Sequence, residues 1–171
     1  TSLAVAEDAT IFAADGGSSS IWRISPDGEV LDRLAGGKGG RFAVPKSFFP
    51  ITWADGGLVV AHPGRHRVER YDADGELMAR WGKRSRGLTG FSGCCNPVSV
   101  AVTGSGEFVT AERGQPRIKL FGKDGKFRSV IAGPEAFDAE EHEQVEIDAE
   151  LVTCQNGGIE VGLLGDQVVA L

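Results

Sequence analysis

Short apolar runs alternate with polar, glycine-rich gaps along the chain, and one order of runs occurs three times. The matching segments are IFAADGGSSSIWRISPDGEVLDRLAG, LVVAHPGRHRVERYDADGELMARWG and EFVTAERGQPRIKLFGKDGKFRSVIAG. Each reads as an apolar strand, a polar loop, an alternating strand, a turn and a further strand. The turns are Asp27-Gly28, Asp74-Gly75 and Asp124-Gly125, giving repeats of 47 and then 50 residues. Asp-Gly between alternating runs marks a hairpin, because glycine accepts a positive φ without a Cβ clash. One more strand precedes each segment: Leu3–Ala6, Phe48–Trp53 and Val98–Val102. Four short antiparallel strands per repeat describe a propeller blade.

The predicted fold class is therefore an all-β β-propeller of four-stranded antiparallel blades. Three blades span about 3–45, 46–95 and 96–133 of a single domain over 1–171. GIEVGLLGDQVVAL (Gly158–Leu171) supplies only the two inner strands of a partial fourth, and residues 134–153 form an acidic loop. A ring needs about four blades to hide its edges. The chain is thus expected to be part of a longer propeller or to oligomerise.

Composition adds little to this reading and charge adds more. The chain has 171 residues, 41% of them hydrophobic, with 25 glycines, three tryptophans and three cysteines. That is enough for one domain with a core. No apolar run has the length of a membrane span, so none is expected. Eight acids lie between Glu135 and Glu150 without a Lys or Arg; without them the net charge of -6 becomes +2. No basic field suits nucleic acid, and the acidic strip would repel phosphates.

The stretch HRVERYDADGELMARWG, followed by GLTGF, a proline and VSVAV, resembles the NHL repeat of β-propeller proteins. The likeness covers most of the chain outside the acidic strip. It is weakest in the first repeat, where Ser20-Ile21 stands for Arg67-Val68 and Arg117-Ile118. More narrowly, GCCNP with the repeat after it is similar to a group of bacterial NHL-type proteins. The resemblance implies that the loops into the inner strands and the loops after the second strands share one face. That face would carry Asp15, His62 and Glu112 at equivalent positions, with His66, Arg67, Arg117 and Asn96 around them. It also implies an extracytoplasmic bacterial protein.

The loop into the second repeat is Phe42-Ala43-Val44-Pro45, whereas the loop into the third runs from Phe91 to Pro97 and is three residues longer. The extra residues contain Cys94 and Cys95. An offset of 59 brings Cys154 onto Cys95, so three thiols are expected to converge at the channel mouth. They could bind a soft metal such as copper or zinc with His62 as a further ligand, form a disulfide such as Cys95–Cys154, or simply pack. No standard zinc spacing, haem motif, phosphate loop or nucleophile elbow is present. Two functions follow. The first is a binding or scaffold protein that takes a protein or small-molecule ligand on the channel-mouth face. The second is a metal-dependent propeller enzyme of the lyase or lactone hydrolase type, or a thiol redox protein.

Overall fold

The computed structural model describes residues 2–34, 36, 41–45 and 48–137, and the backbone alone of 161–164 and 167–170. Three antiparallel four-stranded sheets follow one another. Blade 1 holds β1 (Ser2–Val5), β2 (Ile11–Asp15), β3 (Ser20–Ile24) and β4 (Val30–Leu34). Blade 2 holds β5 (Ile51–Ala54), β6 (Gly57–His62), β7 (Arg67–Tyr71) and β8 (Leu77–Trp81). Blade 3 holds β9 (Ser99–Val102), β10 (Phe108–Glu112), β11 (Arg117–Phe121) and β12 (Phe127–Ala132). A hairpin of β13 (Val161–Leu164) and β14 (Gln167–Ala170) follows. Strand order within each blade is sequential. The described residues contain no α-helix, only two 3-10 turns at Pro63–Arg65 and Pro134–Phe137.

First strands adjoin one another, β1 beside β5, β5 beside β9 and β9 beside β13, so they share one axis. Between blades lie two apolar layers. Phe12, Ala14 and Ile21 meet Leu58, Val60 and Tyr71 between blades 1 and 2. Val59, Ala61 and Val68 meet Val100, Phe108 and Phe121 between blades 2 and 3. Period-2 alternation thus points successive residues of β6 at opposite neighbours, and every residue of that strand is buried.

The outer hairpins repeat in detail. The ladder slips at Arg23/Ile24, Arg70/Tyr71 and Leu120/Phe121, equivalent positions in the three repeats. Gly75 and Gly125 are required twice over. Their φ values are +86° and +71°, and a Cβ would lie 2.9 Å from Leu34 and from Trp81 of the preceding blade. One strand starts later than the sequence pattern suggests. Phe48–Pro50 precede β5 rather than joining it; Pro50 has no N–H to give a ladder, and Phe49 turns into the core against Phe42.

Blade 1 has one covered face and one open one. Leu3 and Val5 are 66% and 57% exposed. Their counterparts on blade 2, Ile51 and Trp53, pack in the layer against blade 1.

Candidate functional site

β2, β6 and β10 end on ionisable residues at one register. Asp15 lies opposite Ser20, His62 opposite Arg67 and Glu112 opposite Arg117. The loops into blades 2 and 3 arrive at the same end. His62 Nε2 accepts the Ala43 N–H at 2.7 Å, and Glu112 Oε1 accepts the Ser92 N–H at 2.7 Å. Ala43 and Ser92 each follow the phenylalanine that wedges between blades, Phe42 or Phe91. The last side chain of the second strand therefore fixes the incoming loop. Asp15 instead turns its carboxylate onto its own turn, accepting from the N–H groups of Gly17 and Ser18.

Each fixing residue is backed by a buried partner on the third strand, and the polarity reverses between blades. In blade 2, the Ala43 bond leaves the ring proton of His62 on Nδ1, which donates to Glu69 Oε2 at 2.8 Å. Tyr71 donates to the same oxygen at 2.6 Å, and Arg67 Nε to Oε1 at 2.6 Å. Burial by itself raises the Glu69 pKa, but the bonds from His62, Tyr71 and Arg67 outweigh it and hold the carboxyl at about 2. Burial, and then the Glu69 contact, push the Tyr71 phenol far up, so it stays a donor.

In blade 3 the acid is on the second strand and the base on the third. Glu112 Oε2 lies 2.9 Å from Arg117 Nη2 and 3.0 Å from Lys119 Nζ, with Glu112 and Lys119 wholly buried. Lys119 also donates to Gly90 O at 2.5 Å and sits 4.3 Å above the Phe91 ring. Burial lowers its pKa, and Glu112 restores only part of the loss. His62, Glu112 and Arg67 are thus tied into the fold by hydrogen bonds and ion pairs, as is Arg117 through its Nη2, while the buried Arg117 Nε has no hydrogen-bond partner among the described residues. A metal at His62 would have to displace one of its two bonds.

The loop after Phe91, expected to be longer than its counterpart, is not: Ile51 and Val100 share a register and each follows its phenylalanine at the same distance, so Pro97 stands where Phe48 does rather than where Pro45 does. This loop is pinned from both sides. His66 Nε2 donates to Gly93 O at 2.9 Å from blade 2. The Asn96 amide pairs with Arg113 as a strand residue would, Nδ2 donating to its carbonyl at 3.0 Å and Oδ1 accepting its N–H at 2.9 Å. Asn96 Nδ2 also donates to Ser92 O at 2.7 Å. In blade 2 the corresponding carbonyl, Ala43 O, takes the Gly64 N–H instead. Between these pins, Cys94 is exposed and Cys95 buried, with Sγ atoms 3.2 Å apart. Cys154 and its expected approach to Cys95 lie outside the described residues. Among the described residues no group of three or more His, Cys, Asp or Glu could hold a metal. Replacing Asn96 with Ala should raise amide exchange at Arg113 and at Gly93–Cys95 by more than tenfold while the Ser92 amide, held by Glu112, stays slow.

A second feature escaped the sequence reading. At the end of the blades that carries the Asp-Gly turns, a cavity of about 430 Å³ opens between blades 1 and 2. Glu7, Asp8, Arg23, Trp53 and Asp74 line it. Trp53 stacks on Phe12 at 5.2 Å, and its Nε1 donates to Glu7 at 2.5 Å. Residues some 50 positions apart build it, so no local spacing marks it.

No family model matches the chain, and no curated protein matches it. Solved structures do. A streptogramin B lyase aligns with a TM-score of 0.55 at 14% identity, over 74% of this chain and 38% of its own. A catalytically inactive virginiamycin B lyase from Staphylococcus aureus, solved with quinupristin, aligns at 0.57 and 12%, over 75% and 39%. A protein of unknown function from Bacteroides caccae aligns at 0.51 and 15%, over 75% and 44%. The chain therefore spans less than half the length of these structures. At such identities the likeness establishes the fold, an all-β β-propeller of four-stranded blades.

Proposed function

We propose that this chain is an NHL-type propeller segment of an extracytoplasmic bacterial protein, and that it works as a binding module. Its ligand, a protein or a small molecule, docks on the face where the second strands end, around Ser92–Asn96. One observation carries this reading. The loop from Phe91 to β9 is as long as the loop from Phe42 to β5, since Ile51 and Val100 share a register, yet its middle is held by His66 on one side and by the Asn96 amide on the other. A pre-ordered loop on a rigid scaffold is the form that recognition loops take. The lyase reading would call on His62 and Glu112, whose polar atoms are engaged inside the blades.

A small-molecule fragment library followed by amide-resolved NMR tests this. Shifts should cluster at Ser92–Asn96, Arg65–Arg67 and Arg113–Gly114. Clustering around Trp53 and Glu7, or no hits on either end, would overturn the assignment.

The open face of blade 1 supports a further blade of the same kind as its neighbour, from a longer chain or another copy. For the chain of 171 residues, sedimentation velocity should show concentration-dependent association. Leu3→Lys with Val5→Lys should weaken it by at least tenfold. A monomer at all concentrations, or association indifferent to both changes, would count against this.

A further inference from the structure

We propose that Cys94 and Cys95 form a two-electron thiol switch, closed to a Cys94–Cys95 disulfide by exchange with a low-molecular-weight disulfide such as oxidised glutathione. Their sulfurs are 3.2 Å apart, one exposed and one buried. The neighbours on both sides of the pair are held, Gly93 by His66 and Asn96 by Arg113 and Ser92. The pair therefore sits on a fixed platform. The fold has no need of cysteine here, since Phe42–Ile51 spans the gap equivalent to Phe91–Val100 without one.

The chemistry balances in two exchanges. The exposed Cys94, as thiolate, attacks one sulfur of the small disulfide, breaking its S–S bond and releasing one thiolate. Cys95, deprotonated, then attacks the Cys94 sulfur of the mixed disulfide. The second small thiolate leaves, and the two protons from the cysteines end on the released thiols. Two cysteine thiols are oxidised and one small disulfide is reduced to two thiols. The product is an eight-membered ring, and strained, accessible disulfides are the readily reduced ones. Closing it replaces the exposed Cys94 thiol on the face with an apolar bridge, changing what the face can bind. The switch lies on the face proposed above for binding, but its test reads sulfur chemistry, so either can fail alone.

Trypsin separates the outcomes. Cleavage after Arg86, Arg113 and Arg128 leaves Cys94 and Cys95 together in residues 87–113 and Cys154 in 129–171. The reduced full chain is equilibrated with oxidised glutathione, quenched with iodoacetamide and mapped by mass. Peptide 87–113 should lose two hydrogens, resist alkylation, and recover both thiols on excess glutathione. Cys154→Ser should behave the same way. Cys95→Ser should trap a glutathione adduct on Cys94. A bond joining 87–113 to 129–171, a lasting adduct on wild-type Cys94, or full alkylation of both cysteines would each overturn the proposal.

Discussion

Replacing Glu112 with Ala is expected to lower folding stability by about 3–5 kcal/mol. The change strands two cations inside the protein, because Lys119 and Arg117 both face this carboxylate from within 3.0 Å. It also leaves the Ser92 N–H without its acceptor. Adding Lys119→Met should recover much of the loss, since a buried ion pair is itself worth little against an apolar replacement. The internal repeat offers a sharper rescue. Glu112→His with Lys119→Glu and Phe121→Tyr rebuilds the blade 2 arrangement of His62, Glu69 and Tyr71, with Arg117 already standing where Arg67 does. Denaturant melts of the four proteins check this. Equal losses in the single and double variants would show that the pairing is not what matters.

Acid should unfold the protein largely through Glu69. Its carboxyl is held at about 2 against an ordinary 4.5, so the native state binds this proton more weakly than the unfolded chain. The stabilisation is fully present above pH 4.5 and fades as pH falls through about 2. A shift of this size corresponds to about 3 kcal/mol. Glu69→Gln should therefore be less stable near neutrality yet lose about 3 kcal/mol less between pH 6 and pH 2. Melts across that range provide the measurement. Parallel curves for the two proteins would place the acid sensitivity elsewhere, Asp8, Asp15 and Asp124 being the other carboxylates held low.

The parts of the fold that were legible in the sequence are those set by local chemistry. Asp-Gly needs a positive φ, so three such pairs at near-equal spacing marked three hairpins. Alternation then supplied the strands. The equivalence of Asp15, His62 and Glu112 could be read from offsets alone, and the pairing of each with Ser20, Arg67 and Arg117 matches it. Their task could not be read, because it depends on Ala43 and Ser92 arriving from 19 and 20 residues away. The reversal of charge between His62–Glu69 and Glu112–Lys119 was visible in principle, as a paired change between two repeats. Glu69 and Lys119 were passed over because a charge in an alternating strand reads as solvent-facing. Asn96 read as a ligand-face residue, whereas its amide is consumed in imitating a strand residue beside Arg113.

The most direct measurement releases the loop and keeps its length. His66→Ala with Asn96→Ala removes both pins. Ser92 keeps its place after the wedged phenylalanine and its bond to Glu112. The expected result is a folded protein with wild-type amide dispersion away from the loop, which no longer responds to fragments that perturb Ser92–Asn96 in the parent. Unchanged fragment binding would contradict a functional role for the ordered loop. Loss of the folded state would contradict it too, by making the two pins structural staples.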